Sequence, residues 1–301
     1  MKTFPAIGFA AVFLLAMVVT LFYLPSTNNE VSQPAVSSTP QTALTFDSSK
    51  TLEDYFESIA YRWPISGSDV IPTTLIQSMP ADIGTLTDIK KRKTLFIRIM
   101  LPIIVAEQQR IRDKRQTLKL ALQFNHANNP GNHHLQKELN KLFTEYKISN
   151  KLSYQEKGKA LLQRFDELPL ALVLAQAAME SGWGTSRFTR VGNSLFGEWT
   201  YEKGTGIVPQ GRDPGKTHKI KAFPSLQASI ASYVKNINRN NAYKELRQQR
   251  SEMRLKQQAL DARKLAQGLQ RYSQKGQAYV VSLLQILNSK EFRQIEALNL
   301  D

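Results

Sequence analysis

The chain contains no cysteine and only four histidines among its 301 residues. Without cysteine it can form neither a disulfide framework nor a lipid-modified cysteine anchor. Three of the histidines, His126, His133 and His134, are not surrounded by a cluster of acidic residues at metal-ligand spacing. We therefore expect these histidines to lie in a loop, and we predict no metal site.

Acidic residues are also scarce. The chain carries 40 lysines and arginines against 25 aspartates and glutamates, a formal net charge of +15. From Lys151 to the C-terminus the counts are 24 and 13, so this half alone carries +11. Such a domain suits an anionic partner, for example a cell-wall polymer, a membrane surface or nucleic acid, although part of the charge serves only solubility. We predict no nucleic-acid partner, because no nucleic-acid-binding motif appears and the N-terminus is apolar.

One uncharged apolar run, residues 4–24, is about twenty residues long and can span a bilayer. The segment FYLPSTNN at its end is a poor cleavage site, which favours an uncleaved membrane helix over a signal peptide. Residues 25–50 are rich in Ser, Thr, Pro, Asn and Gln, which predicts a disordered tether. We expect an inner-membrane anchor with the folded part in the periplasm, or a secreted protein if the anchor is cleaved.

Residues 51–152 form a predicted helical region. Within it, LFIRIMLPIIVA (residues 95–106) is apolar except for Arg98 and contains Pro102. This run is too short and too interrupted for a second membrane span, so it predicts a buried helix, with a kink allowed at the proline. The predicted organisation is therefore an anchor, a tether, a helical region and a second domain, at residues 1–24, 25–50, 51–152 and 153–301.

The second domain is organised around LPLALVLAQAAMESGWG, residues 168–184. Pro169 suits a first helical turn, and the residues from Leu170 to Met179 are apolar except for Gln176. A helix that is apolar all round is buried. Gly182 can adopt the left-handed conformation that ends many helices, so Glu180 is predicted at the C-terminal end of a core helix.

Two physical effects are expected to raise the pKa of Glu180. Apolar surroundings disfavour a charged carboxylate, and the negative end of the helix dipole acts in the same direction. A raised pKa is what a general acid working near neutral pH requires. The alternative is that Glu180 meets solvent or a basic partner at an ordinary helix end.

Residues 199–223 are dense in Gly and Pro, which predicts a small β-hairpin lobe. Helical patterns follow it, and the fold class is therefore mainly α (α+β), a helical core with a β-hairpin lobe. The predicted helices run from Ser225 to about Asn238, from about Tyr243 to Gln258, from a cap at Asp261, and across Gly276–Leu298.

Four blocks in order resemble those of glycoside hydrolase family 73: AQAAMESGWGTSRF, NSLFGEW, KIKAFPSLQASIASYVKNINRNNAY and GLQRYSQKGQAYVVSLLQIL. That family consists of peptidoglycan-cleaving endo-β-N-acetylglucosaminidases with a lysozyme-like fold. The resemblance covers about residues 153–287. The segment GIVPQGRDPGKTHKI and the long preceding helical stretch are more similar to the family's Bax-type branch, back to about Leu52.

The resemblance implies a role for each matching residue. Glu180 matches the catalytic acid, and Tyr272 matches a tyrosine that faces the cleft and could hold the substrate's N-acetyl group. The remaining matches are assigned to substrate binding, and each could instead have a purely structural role. They are Gln176, Trp183, Asn193, Phe196 and Tyr279.

A second catalytic carboxylate is harder to assign. The lobe offers Glu198, Glu202 and Asp213, and none of them aligns with the family pattern. Glu202 is the first choice and Asp213 the second. If the substrate's own acetamido group assists instead, only Glu180 and Tyr272 would be essential.

The sequence thus predicts a hydrolase that binds peptidoglycan glycan strands and cleaves the β-1,4 bond after N-acetylglucosamine. The resemblance implies no metal or organic cofactor. Two alternatives stay open. One is a lytic transglycosylase that uses a single glutamate as acid and then base. The other is a cell-wall-binding protein without turnover.

Overall fold

The computed structural model describes residues 43–66, 69–124, 133–202, 206–212, 215 and 217–298. The predicted membrane helix at residues 4–24 lies outside these ranges, as does most of the predicted tether. None of the helices in the described ranges is both long and apolar enough to cross a membrane.

The described chain is mainly helical, with two short pairs of strands, which confirms the predicted class. The strands are β1 (Ala43–Leu44), β2 (Leu75–Ile76), β3 (Trp199–Thr200) and β4 (Lys219–Ile220). The helices are α1 (Ser49–Ser58), α2 (Ile89–Phe124), α3 (His133–Glu145), α4 (Tyr154–Arg164), α5 (Leu170–Ser181), α6 (Arg187–Gly192), α7 (Leu226–Arg239), α8 (Lys244–Leu255), α9 (Ala262–Ala266), α10 (Gln277–Leu287) and α11 (Lys290–Glu296). Short 3₁₀ turns occupy Ile83–Thr85, Asn241–Tyr243 and Gln267–Leu269.

Two segments differ from their predictions. Residues 43–50 were assigned to the tether, but β1 pairs in parallel with β2, and the Ser49 backbone N–H donates to Asp82 at 2.7 Å. These partners lie more than thirty residues away in sequence, so composition alone does not reveal them.

The backbone of His133 and His134 begins α3 and does not lie in a loop, because the helical period of Leu139, Leu142 and Phe143 extends back to it. His126 is outside the described residues.

The helix α2 is continuous over 36 residues, about 54 Å, and Pro102 lies inside it. Its apolar part, residues 95–106, is buried, as predicted. Arg98 is tolerated in this interior because its guanidinium lies 4.5 Å from the centroid of the Phe56 ring and donates to the Tyr61 carbonyl.

The buried helix α5 lies at the centre of the fold. It contacts α2, α9, α10 and α11, and every residue from Leu170 to Ala178 is buried. One continuous hydrophobic core extends from Leu52 to Leu298, so the helical region before residue 153 and the domain after it share their interior. The division at residue 152 stays a prediction.

Buried ionic contacts hold the turn that precedes α5. The fully buried Arg250 guanidinium donates to the backbone carbonyls of Asp166 and Glu167, at 3.2 and 2.9 Å. The carboxylates of these two acids accept from Arg254 of the same helix, and Arg112 of α2 pairs with Glu167 at 2.7 Å. The turn thereby joins α2, α8 and the start of α5, which fixes where α5 enters the core.

The helices after the lobe agree with the capping predictions. Ser225 caps α7 through Ala228 N–H, and Asp261 caps α9 through two backbone N–H groups. The predicted helix across Gly276–Leu298 is two helices, because the chain turns at Asn288 and Ser289 before α11 begins. In the lobe, β3 and β4 are antiparallel, and Ile207 also bridges to Ile220.

Candidate active site

The acid Glu180 lies in the last turn of α5, as predicted. The helix ends at Gly182, which has a left-handed φ of 58°, and Trp183 follows with the same φ. The Ser181 hydroxyl donates to the Ala177 carbonyl and accepts from the Gly184 N–H at 2.9 Å. These local bonds close the helix and leave the Glu180 carboxylate at its negative end.

Burial raises the pKa of Glu180, in the direction predicted. A hydrogen bond from Tyr279 and the charge of Lys275 act against burial and lower the pKa of this carboxylate, but burial has the larger effect. In the described part of the chain, no salt bridge joins Glu180 to an arginine or lysine. The carboxylate is only partly buried, so a substrate can still reach it.

A chain of buried hydrogen bonds leads to Glu180 from α7. The Tyr233 hydroxyl donates to the side-chain oxygen of Gln176. The Gln176 amide donates to the Tyr279 hydroxyl at 2.9 Å, and this hydroxyl lies close enough to the Glu180 carboxylate to lower its pKa. Gln176 is fully buried, so its amide is oriented by two tyrosines and Tyr279 is left with its proton for Glu180.

Four tyrosines surround the acid and are called here the tyrosine cluster: Tyr233, Tyr243, Tyr272 and Tyr279. Tyr272 stacks on Tyr279 with ring centroids 5.2 Å apart, and it lies 6.4 Å from Tyr233 and 6.2 Å from Tyr243. Burial raises the pKa of each phenol, and the nearby Glu180 carboxylate raises it further. The cluster therefore consists of neutral hydroxyls that can donate hydrogen bonds.

Of two other predicted residues, Phe196 contacts this cluster, whereas the side chain of Asn193 bonds elsewhere. Phe196 stacks on Tyr233 at 4.0 Å with an interplanar angle of 14°. Asn193 ends α6 with a left-handed φ of 52°, and its side-chain N–H donates to the Phe223 carbonyl at 3.1 Å. Asn193 thus joins α6 to the segment after β4, which is a structural role that the sequence left open.

The Trp183 ring packs in an edge-on arrangement against Phe96 of α2 and Phe292 of α11, at 5.7 and 6.3 Å. Lys93 lies over the same ring, 4.8 Å from its centroid. No ring contact joins Trp183 to the tyrosine cluster within the described ranges. The contacts of Trp183 therefore support a structural role in packing and not a role in substrate binding.

The candidates for a second carboxylate lie in the lobe. Asp213 is outside the described residues. Glu202 is exposed just beyond β3, where its backbone N–H donates to Thr200 Oγ1 at 3.2 Å. Glu198, which was weighed less, accepts from Ser232 of α7 at 2.6 Å and pairs with Lys221 at 3.0 Å. Of the described carboxylates, none contributes to the pKa shift of Glu180.

Tyr233 and Tyr243 were not assigned to the site from the sequence. The period of α7 places Tyr233 inward among Ile230, Val234 and Ile237, which marks it only as a core residue. A buried tyrosine needs a hydrogen-bond partner, and that is the one signal that points beyond packing.

No group of three or more His, Asp or Glu side chains that could hold a metal occurs among the described residues.

Comparison with known proteins gives two matches. Residues 155–291 match the glucosaminidase family model, described as mannosyl-glycoprotein endo-β-N-acetylglucosaminidase. The chain is also 31% identical over 210 residues to Protein bax of Escherichia coli (strain K12), which covers 66% of this chain and 72% of that protein. No solved structure matches significantly.

The two matches cover the parts of the chain that carry the site. The family match runs from within α4 to the start of α11 and therefore contains Glu180 and the tyrosine cluster. It identifies this part as a domain of the glycoside hydrolase type. The match to Protein bax extends over two thirds of the chain, beyond the catalytic-type domain. The chain therefore belongs to the Bax-type branch of glycoside hydrolase family 73.

Proposed function

We propose that this protein is a peptidoglycan hydrolase that cleaves the β-1,4 bond after N-acetylglucosamine, with Glu180 as the general acid. The observation that carries the proposal is the position of Glu180: a partly buried carboxylate with a raised pKa, at the end of a core helix, in contact with a tyrosine cluster. A protonated carboxylic acid beside hydroxyl donors is what protonation of a glycosidic oxygen requires.

In the proposed reaction, Glu180 donates its proton to the leaving oxygen as the glycosidic bond breaks through an oxocarbenium-like transition state. Tyr279 then donates a hydrogen bond to the carboxylate that results, which stabilises the charge formed on Glu180. Water then supplies the hydroxyl of the new reducing end at the anomeric carbon, and its proton returns to Glu180. Tyr272, which is partly exposed, is the proposed contact for the N-acetyl group. The helical core and the β-lobe are the two sides of the proposed lysozyme-like cleft.

The surroundings of Glu180 favour a route with one protein carboxylate. Since none of the described carboxylates acts on the pKa of Glu180, the substrate's acetamido group is the preferred second participant, ahead of Glu202. The same observation favours the second candidate function, a lytic transglycosylase, in which one glutamate serves as acid and then as base. Asp213 lies outside the described residues and stays the alternative second participant.

The substrate and location follow the family and the sequence. Alternating N-acetylglucosamine and N-acetylmuramic acid strands are the proposed substrate, and the net charge of +15 suits their anionic peptide stems. The apolar run at residues 4–24 is the proposed anchor, with the catalytic domain in the periplasm.

Product analysis separates the two candidate functions. Purified sacculi digested with the wild-type protein are analysed by mass spectrometry. The hydrolase proposal expects new reducing ends that carry N-acetylglucosamine. Products that end in anhydro-N-acetylmuramic acid would show that the protein is a lytic transglycosylase and not a hydrolase. If no soluble glycan fragments are released, the enzymatic proposal fails and a cell-wall-binding protein is left.

A further inference from the structure

A cavity of about 380 Å³ lies beside α7, between the β-lobe and the end of α3. Four cations line it, Lys147, Lys221, Lys235 and Arg239, together with the carboxylate of Glu198. The side chains of three asparagines complete most of its wall. Ammonium, guanidinium and amide groups are all hydrogen-bond donors, so the cavity has an excess of donors and of positive charge.

Two of the four cations are already neutralised. Lys221 pairs with Glu198 at 3.0 Å, and Lys235 pairs with Glu145 at 2.6 Å. In the described part of the chain, Lys147 and Arg239 have no carboxylate partner. The Arg239 Nε atom is buried and has no hydrogen-bond partner there. Lys147 and Arg239 are therefore the two cations of the cavity wall whose charge no carboxylate of the described chain neutralises.

The cavity adjoins the candidate active site through Asn236. This residue lines the cavity, and its side chain is close enough to the Tyr243 hydroxyl to lower the pKa of that phenol. The Tyr243 ring lies 6.2 Å from that of Tyr272, and the pKa of Tyr243 responds to the Glu180 carboxylate. Asn236 and Tyr243 therefore lie between the cavity and the candidate active site.

We propose that this cavity is a subsite for the free carboxylates of peptidoglycan stem peptides, with Lys147 and Arg239 as the residues that bind them. The inference rests on the proposed function, because it assumes that a glycan strand occupies the cleft. The sugars themselves are recognised through hydroxyl and acetamido groups, whereas a carboxylate is the group that pairs with a guanidinium. The enzyme would thereby select strands that still carry acidic peptides.

Binding to the full-length protein tests the subsite directly by titration calorimetry. The probes are the acidic stem tripeptide L-alanyl-γ-D-glutamyl-diaminopimelic acid, N-acetylated, and the same peptide with its carboxylates converted to amides. The acidic peptide is expected to bind about tenfold or more tightly than the amide, since charge-assisted hydrogen bonds are lost on amidation. Raising the ionic strength is expected to weaken the binding of the acidic peptide only.

The double variant Lys147→Gln/Arg239→Gln is expected to bind both peptides equally. The matched control Lys159→Gln/Lys290→Gln removes the same charge from exposed positions in α4 and α11 and is expected to keep the preference. Equal binding of acid and amide by the wild type would overturn the proposal, as would equal loss of preference in both double variants.

An activity comparison keeps this inference separate from the proposed function. The wild type is expected to show a lower KM for glycan strands with peptides than for peptide-free strands, and the double variant is expected to lose that difference. Cleavage of both substrates with one KM would overturn the subsite and leave the hydrolase proposal intact. Cleavage of neither substrate would overturn the hydrolase proposal, while the peptide titration would still decide the subsite.

Discussion

The Gln176 side-chain amide donates to the Tyr279 hydroxyl at 2.9 Å, across 103 residues of sequence. Gln176 lies on α5 one turn before Glu180, and Tyr279 lies on α10. This bond holds the Tyr279 hydroxyl near Glu180, while Tyr233 fixes the opposite end of the same amide. The surroundings of the Glu180 carboxylate thus depend on contacts between three helices.

Removing the Tyr279 hydroxyl is expected to shift the pH dependence of activity. Tyr279 stabilises the ionised form of Glu180 and lowers its pKa, so Tyr279→Phe raises the pKa of this carboxyl further. Because the acid must be protonated to act, the basic limb of the kcat/KM profile is expected to move to higher pH. The measurement is sacculus cleavage across a pH series.

The control for this variant is Tyr201→Phe, which removes a hydroxyl from an exposed tyrosine of the lobe. It is expected to leave the profile unchanged. An unshifted basic limb in Tyr279→Phe would show that this tyrosine does not act on Glu180.

Gln176→Leu is expected to lower the free energy of unfolding by about 1–3 kcal/mol, since the Tyr233 hydroxyl loses its buried acceptor.

Replacing Glu180 by glutamine is expected to stabilise the fold at neutral pH. Its pKa is higher in the folded state than in the unfolded state, so the folded protein binds the proton more tightly. Stability from this group is therefore complete below the unfolded pKa and is lost as pH rises through the folded pKa. Glutamine resembles the protonated acid, so Glu180→Gln is expected to have the higher Tm at pH 7 and no advantage below the unfolded pKa.

Thermal unfolding of both proteins at the two pH values measures this difference. A Tm for Glu180→Gln at pH 7 that is equal to or below that of the wild type would indicate that Glu180 is not strained by burial. Glu202→Gln in the lobe is the matched control and is expected to leave Tm nearly unchanged, because that carboxylate is exposed.

The buried Arg250 is expected to be a major determinant of stability. It satisfies backbone carbonyls on both sides of the turn before α5 and lies 3.9 Å from the Asp166 carboxylate. Arg250→Met leaves those acceptors unpaired and is expected to cost about 3–5 kcal/mol of unfolding free energy. Chemical denaturation checks this. A loss similar to that of Arg271→Gln, at an exposed position, would contradict it.

The sequence predicts α5 and the position of Glu180 well, because the signals are local. The apolar run and Ser181 lie within α5, and Gly182 is the residue that ends this helix. The tyrosine cluster is different, since Tyr233, Tyr243, Tyr272 and Tyr279 come from segments that meet only in the folded state. The family resemblance supplied Tyr272 and Tyr279, whereas the period of α7 marked Tyr233 as core only.

Other differences between the predictions and the structure have the same cause, since they also depend on contacts that form only in the folded state. The pairing of β1 with β2 and the bond from Ser49 to Asp82 order a segment whose composition resembles a linker. Trp183 was assigned to substrate binding from the family resemblance, but after the left-handed turn at Gly182 and Trp183 its ring packs against Phe96 and Phe292. Local patterns predict elements, whereas the partners of a side chain depend on how those elements pack.

The most direct test of the account compares wild type, Glu180→Gln and Glu202→Gln on purified sacculi, with the release of reducing sugar ends as the measurement. All three proteins are first shown to be folded by thermal unfolding. Loss of a general acid is expected to lower the rate about 100-fold or more in Glu180→Gln, with Glu202→Gln close to wild type. A folded Glu180→Gln protein that releases reducing ends at the wild-type rate would contradict the central claim.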